Sequence, residues 1–458
     1  MKWSKVKAHV FVFSSSIACI VASLAFVNCS SPVNTTPDLS LSNATDSLIA
    51  LSETPYSIDS SNYTVKNYKL VTTSGIIFFQ FVSACSTKCP VVVVSLPYTG
   101  VTWSQDLLDL EWGKKDPSGK GIVTPDVNGP GYDSHSGDII AYYNSSLSDA
   151  VGFGGVFLKS GVSTVIVYNR FYLGRKLDQY VNDFTQVLNH LSDLGSIDTN
   201  KVAVLGASLG GFVPLHASRK SFIKPVAMVG VTPLLDLPNE FSTMSTTAKR
   251  ITSNPSLLSF TQSFFNSYLR RMNQVATNQF TSDLLALETP NSNILVIHDS
   301  WDTVVPISQW QYLSSLRKID SFIFQHATAI DYNTFSTGHS QISEGYTNNS
   351  VMPIYMSYIL KRLVAPSEPK IIYYYYNDFV SALAQVKMAQ SRGQNISWMY
   401  GLLSDLCTDN FTMKDLGGSF GPISGAQFAG GVLANIWSEP TTIDQACQYL
   451  STHPSLFK

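Results

Sequence analysis

The sequence predicts an α/β fold in which helices flank a mainly parallel sheet. Short apolar segments with strand character alternate along the chain with segments of helical periodicity, which is typical of parallel sheets. The clearest strand, residues 201–207 (KVAVLGA), runs directly into a stretch that can form a helix. The clearest helix, residues 176–194, carries its apolar side chains on one face, as expected of a helix packed on a sheet.

Eight segments have the composition and length of strands, and a helix-like segment, residues 351–364, follows the last of them. The predicted strands are 66–72, 75–84, 91–95, 161–168, 201–207, 225–233, 293–298 and 321–328. Two longer segments interrupt this series. Residues 99–159 are rich in Gly and Asp and weakly periodic. Residues 237–289 have helical periodicity and are expected to form either a cap over a pocket at the edge of the sheet or a surface excursion.

The turn after the fifth predicted strand carries a GxSxG sequence, Gly206 to Gly210, with Ser208 at its centre. Glycines on either side of a serine let the strand and the following helix approach closely. We therefore expect the Ser208 hydroxyl to be exposed at the edge of the sheet, where it could act as a nucleophile.

A serine nucleophile needs a base, and the base needs a third group that holds its tautomer. Asp302 follows the seventh predicted strand, and His339 lies in a polar loop after the eighth. Both residues follow Ser208 in the chain, and both come after strands whose carboxyl ends are expected to meet at one edge of the sheet.

These motifs resemble those of the α/β-hydrolase family, in the chain order Ser208, Asp302, His339. Residues 297–306 (IHDSWDTVVP) resemble the family signature HGxxDxxVP, whose aspartate is the triad acid and corresponds to Asp302. Asp299 stands where the family usually has glycine. The resemblance covers about residues 66–364. It implies a mainly parallel sheet of eight strands flanked by helices. The sequence pattern itself adds a helical cap insertion and, after Pro366, a small C-terminal helical extension.

Alternatives exist for the acid and for the base. Asp236 follows the sixth predicted strand, where some members of the family place the acid, and Asp299 is a lesser competitor that we expect to orient the loop. Asp302 is favoured over both. His339 is favoured over five other histidines, which fall within predicted strands or helices, in an insertion or out of chain order: His135, His190, His216, His298 and His326.

Acyl transfer also needs donors directed at the oxyanion. The amide of Leu209 is one candidate, because it begins the helix after the nucleophile. The loop after the third strand, residues 96–100, supplies the second candidate, Tyr98, through its amide or its hydroxyl. The HG or HGGG motif that is usual in the family is missing there, so an ordinary Pro-Tyr turn is an equal alternative.

Composition limits the class of partner. The 458 residues carry a net charge of −2, without a basic run, which argues against nucleic acid or an anionic membrane surface. We expect a small-molecule ester or a peptide as substrate, and no metal or cofactor. Contact with a membrane is expected only through an N-terminal lipid or signal anchor.

The N-terminus has the pattern of an export signal, with three lysines before an uncharged apolar stretch, residues 10–27. Cys29 follows, then a polar segment, which resembles a bacterial-type lipoprotein, although Asn28 departs from the usual small residue. Lipidation of Cys29 and an uncleaved membrane anchor both stay open. Two disulfides, Cys85–Cys89 across a short hairpin loop and Cys407–Cys447, would leave Cys29 outside either bridge.

The predicted organisation is an export signal (1–28), a polar tether (29–60), an α/β-hydrolase domain (61–365) with insertions 99–159 and 237–289, and a C-terminal helical extension (366–458). The resemblance implies an exported, extracellular or cell-surface serine hydrolase that cleaves carboxylic esters through an acyl-enzyme. Two alternatives are a prolyl-oligopeptidase-like peptidase and a non-catalytic surface binding protein with this fold.

Overall fold

The computed structural model describes residues 46–73, 75–95, 154–167, 177–235, 293–300, 302, 305–316, 319–324, 351–394, 396–437 and 442–457. Within these ranges, no helix has both the length and the apolar character needed to cross a membrane.

The described strands of the main sheet number nine, in the order β1-β2-β3-β5-β4-β6-β7-β8-β9. The first three strands pair antiparallel, and β3 also pairs antiparallel with β5. All pairs from β5 to β9 are parallel. The strands are β1 (Ser47–Ile58), β2 (Ser61–Thr72), β3 (Gly75–Val82), β4 (Cys89–Ser95), β5 (Ser163–Val167), β6 (Ile197–Ala207), β7 (Ala227–Val231), β8 (Ile294–Asp299) and β9 (Asp320–Phe324).

The prediction of eight strands is one strand short. The missing strand is β1, which falls inside the segment predicted as a polar tether, residues 29–60. It is an edge strand paired only with β2 among the described strands, and much of its length is exposed. Its polar side chains and Pro55 are tolerated because an edge strand has an unpaired side. These features made it resemble a tether in the sequence.

Two apolar cores form, one on each face of the sheet. On one face lie α1 (Leu177–Asn189) and α2 (Leu209–Lys220), whose buried side chains include Tyr180, Phe184 and Phe212. The apolar stripe predicted for residues 176–194 is therefore a core stripe, as expected. Helix α3 (Ser308–Leu316) packs on the same face through Leu313, and α4 (Met352–Leu363) covers the opposite face.

The C-terminal region contains a second sheet as well as helices. Its strands are β10 (Lys370–Tyr374), β11 (Phe411–Asp415) and β12 (Ile423–Ser424). Helices α5 (Tyr376–Ser391) and α6 (Ser397–Thr408) connect β10 to β11, and α7 (Gly425–Trp437) and α8 (Ile443–Thr452) follow β12. The predicted C-terminal helical extension therefore also contains a three-stranded sheet, which the sequence did not indicate. Its apolar residues also continue the core formed by α4, so this region packs directly on the main sheet.

Both predicted disulfides form. Cys407–Cys447 joins α6 to α8, with the two Cα atoms 5.6 Å apart, and Cys85–Cys89 has a Cα separation of 6.3 Å. The loop that Cys85–Cys89 closes is not a hairpin loop, because β5 lies between β3 and β4 in the sheet. The bridge instead holds the chain where it crosses from one side of β5 to the other.

Candidate active site

Ser208 occupies a strained turn between β6 and α2. Its φ of 53° and ψ of −125° lie in a region that residues with a Cβ rarely adopt. Two hydrogen bonds hold this conformation in place. The Ser208 amide donates to the carbonyl of Val231 (2.9 Å), and the Ser208 carbonyl accepts from the amide of Leu234 (3.1 Å). Strand β7 and the loop after it therefore fix the backbone of the serine.

Small residues make this turn possible. A Cβ atom built on Gly206 would overlap the backbone carbonyl of Gly210, the second residue of α2. A Cβ atom on Gly211 would lie 2.6 Å from the Cβ atom of Pro233. The expected role of Gly206 is thus explained by contact with the helix. Gly211 was not singled out in the sequence. Glycine is needed there because the loop after β7 approaches the helix too closely for a larger side chain.

As a whole residue Ser208 is buried, with 7 % of its surface exposed. Its neighbours in the turn, Ala207 and Leu209, are fully buried. A reacting hydroxyl in such surroundings is largely screened from bulk water, and this strengthens the electrostatic interactions around it.

The strand end beside Ser208 is also strained. Thr232 directly follows β7, has a φ of 43°, and is fully buried. Its amide donates to the carbonyl of Ile297 in β8 at 2.6 Å. A positive φ is unusual for a β-branched residue, so the surrounding hydrogen bonds must impose this conformation. Within the described residues, the Thr232 hydroxyl has no hydrogen-bond partner.

Asp302 lies in the turn after β8 and is 2 % exposed. Its Oδ1 atom accepts a hydrogen bond from the amide of Val305 (2.8 Å), and its own amide donates to the carbonyl of Asp299 (3.1 Å). These bonds orient the carboxylate. Asp299 is fully buried at the end of β8, and its carbonyl shapes the turn.

Ser208 and Asp302 lie at the same edge of the sheet. Strands β6 and β8 run parallel and flank β7, so their carboxyl ends are two strand spacings apart, roughly 10 Å. An imidazole from a third element can bridge a gap of that size, as a proton-transfer triad requires. His339, which we predict as this base, lies outside the described residues.

The described histidines occupy other positions. His298 is buried within β8, where its Nδ1 atom lies 3.0 Å from the Asp299 carbonyl oxygen. His216 is buried in α2 with its ring 4.1 Å from that of Phe212, and burial lowers its pKa to about 3. His190 lies outside the core and contacts the carboxylates of Asp193 and Asp46. Neither His190 nor His216 lies at the carboxyl edge of the sheet.

A strained GxSxG turn between a strand and a helix of a mainly parallel sheet is a feature of the α/β-hydrolase fold. The protein has the α/β-hydrolase fold. Leu209 is the first residue of α2, so its amide is one of those that lack an acceptor inside the helix. Tyr98, the other predicted oxyanion donor, lies outside the described residues, as do Cys29, Asp236, His135 and His326.

Solved structures with a similar arrangement include several hydrolases. Acetyl xylan esterase 1 from Thermoanaerobacterium sp. JW/SL YS485 is 11 % identical, with a TM-score of 0.36 over 63 % of this chain and 86 % of that chain. An acylaminoacyl peptidase from Pyrococcus horikoshii is 12 % identical, with a TM-score of 0.39 over 67 % of this chain and 42 % of that chain. An S-formylglutathione hydrolase from Agrobacterium tumefaciens is 10 % identical, with a TM-score of 0.38 over 69 % and 99 %.

At these levels of identity and TM-score, the similarity indicates nothing about activity. The assignment of the fold depends on the sheet and the turn described above. Comparison with models of known protein families gives no match. Comparison with curated proteins gives none either.

Two residues that the sequence did not single out support this site. Thr232 links the ends of β7 and β8, as described above. Gln309, in α3, is fully buried, and its Oε1 atom accepts a hydrogen bond from the amide of Leu235 at 2.8 Å. Gln309 is the second residue of α3, and nothing in the sequence distinguishes it from a glutamine on the surface.

Proposed function

We propose that this α/β-hydrolase is an exported serine hydrolase that cleaves carboxylic esters through a covalent acyl-enzyme. The observation that carries the proposal is the backbone of Ser208, held by hydrogen bonds in a conformation that a serine rarely adopts. Strain of this kind persists where the surrounding structure imposes it, and it clusters at active sites.

In the proposed reaction, the Ser208 oxygen forms a bond to the ester carbonyl carbon while His339 takes its proton. Asp302 accepts a hydrogen bond from the imidazole and stabilises the imidazolium. The amide of Leu209, and the amide or hydroxyl of Tyr98, donate to the oxyanion. The bond to the leaving alcohol then breaks as His339 returns the proton to that alcohol.

Water completes the cycle. His339 removes a proton from a water molecule, whose oxygen attacks the acyl carbon, and the Ser208 oxygen leaves with the returned proton. Each proton that the imidazole accepts is given back, so no cofactor or metal is needed for the balance.

The two disulfides support export. Bridges of this kind form and persist in oxidising compartments and are rare in the cytosol. They also involve Cys85, Cys89, Cys407 and Cys447 but not Cys29, which follows the apolar N-terminal stretch. Lipidation of Cys29 at the cell surface is therefore part of the proposal.

Hydrolysis assays test the activity and the substrate class. We expect wild-type protein to hydrolyse short-chain p-nitrophenyl esters, and Ser208→Ala to abolish this activity. Asp302→Asn should lower kcat by a factor of about 10⁴, the size of effect that follows loss of the orienting acid. Faster turnover of peptide amides than of esters would favour the peptidase alternative. Folded protein with no activity on either substrate class would favour a non-catalytic binding protein.

A further inference from the structure

One run of hydrogen bonds joins the turn that carries Ser208 to the turn that carries Asp302. The Ser208 carbonyl accepts from the amide of Leu234, and the next amide, that of Leu235, donates to Gln309 Oε1. The amide of Gln309 in turn donates to the carbonyl of Pro306 at 2.9 Å. The two turns are thus connected through one glutamine.

The same run reaches the carboxylate of Asp302. Val305, which directly precedes Pro306, donates its amide to Asp302 Oδ1. In this path, the side chain of Gln309 links the loop after β7 to the segment after β8. The remaining links are made by backbone groups and by the Asp302 carboxylate.

We propose that Gln309 is a positioning residue that sets the placement of the Asp302 carboxylate relative to the Ser208 turn. This inference rests on the proposed function. Gln309 is fully buried in α3, so its side-chain amide has no bulk water to replace a lost partner. Loss of its acceptor atom leaves the Leu235 amide without this bond and releases α3 from the β7 loop. The acid would then shift relative to the nucleophile while Ser208 and Asp302 both remain present.

The test compares Gln309→Met, which keeps the length of the side chain and removes the acceptor, with Gln309→Glu, which keeps an acceptor oxygen. Gln80→Met is the matched control. Gln80 is also buried (1 % exposed), and its side chain donates to Asn67 at 3.1 Å, but it lies in β3, three strands away from β6. Both methionine variants remove a buried polar group, so a general loss of stability appears in both.

The first measurement is the rate constant for modification of Ser208 by a fluorophosphonate. We expect Gln309→Met to lower this rate by about tenfold or more, because small displacements of reacting groups have effects of that size or larger. Gln309→Glu should recover most of the rate, and Gln80→Met should match wild type. With an ester substrate, kcat should fall in Gln309→Met while KM stays unchanged.

The second measurement is the pH profile of the modification. A carboxylate close to an imidazole favours the charged imidazole and raises its pKa. If Asp302 moves away in Gln309→Met, the pKa of the base falls, and the midpoint of the profile moves to lower pH. A purely structural role for Gln309 would leave this midpoint where it is.

The outcomes separate the inference from the proposed function. If wild-type Ser208 reacts, and Gln309→Met reacts at the same rate with the same midpoint, the positioning role is overturned while the hydrolase proposal stands. If folded wild type does not react at all, both proposals fail. Should Gln309→Met not fold, Gln309→Asn, whose shorter side chain does not reach Leu235, replaces it in the same comparison with Gln309→Glu.

Discussion

The Ser95 hydroxyl lies 2.5 Å from the Tyr180 hydroxyl, and this hydrogen bond links the carboxyl end of β4 to helix α1. Both residues are fully buried, and burial raises the pKa of Tyr180 well above its usual value. Ser95 pairs in register with Gly206, two residues before Ser208. The bond therefore anchors the strand that leads into the predicted oxyanion loop, residues 96–100.

The first prediction concerns this pair. Ser95→Ala and Tyr180→Phe should each destabilise the protein by about 1–2 kcal/mol, because each leaves a buried hydroxyl without its partner. The double variant should be less destabilised than the sum of the two, with a coupling energy of about 1 kcal/mol in urea unfolding. Additive effects would show that the two hydroxyls do not stabilise one another.

The second prediction concerns the glycine before the nucleophile. Gly206→Ala should destabilise the protein by about 1–3 kcal/mol or more, because the new methyl group overlaps the Gly210 carbonyl. Gly431→Ala is the control, since Gly431 is exposed in α7 and a Cβ atom there meets nothing within 4 Å. That variant should gain roughly 0.5–1 kcal/mol from helix propensity. Equal effects in thermal unfolding would contradict the steric account.

The third prediction concerns Thr232. Thr232→Gly should relieve backbone strain at a φ of 43°, so the expected change in the free energy of unfolding is a gain or only a small loss. Thr232→Val keeps the strain but removes a buried hydroxyl that lacks a hydrogen-bond partner among the described residues, so it should be neutral or slightly stabilised. Chemical denaturation of the two variants measures the difference, and a large loss in the glycine variant alone would mean that the side chain, and not the backbone, matters here.

The fourth prediction is a pH dependence caused by His216. Its pKa is lowered to about 3 by burial and by Lys220, from an ordinary value of 6.5. Between these pH values the unfolded chain binds a proton that the folded protein does not, so stability falls as pH decreases. The slope approaches about 1.4 kcal/mol per pH unit.

Above about pH 6.5 this histidine adds no pH dependence, because it is neutral in both states. His216→Met removes the titration and should flatten the fall in the free energy of unfolding between pH 6 and pH 4. Parallel curves for wild type and variant over that interval would show that His216 is not neutral in the folded protein.

The sequence predicted the parallel part of the sheet well because its strands are buried on both faces and are almost continuously apolar, as β4 and β8 are. It missed β1 because an edge strand with one exposed face carries the polar residues of a linker. It also missed the C-terminal sheet, in which β10 pairs with β11 about forty residues later: Lys370 lies opposite Phe411. A pairing between five-residue strands so far apart leaves no local pattern.

At the site, Ser208 was visible because its glycine neighbours obey a local rule. Gln309 was not visible, because its role depends on a contact with Leu235, 74 residues away in the chain. The burial of Ser208 was not visible either, since it depends on how the surrounding elements pack. Sequence patterns therefore indicated the candidate nucleophile, whereas the contacts that orient its turn come from tertiary structure.

The central claim is that Ser208 is a nucleophile, and mapping of a covalent adduct tests it most directly. Folded wild-type protein is incubated with a fluorophosphonate probe, digested and analysed by mass spectrometry. The account predicts one adduct per chain, located on Ser208 and absent from Ser208→Ala. An adduct that persists in Ser208→Ala, or folded wild-type protein that stays unmodified, would contradict it.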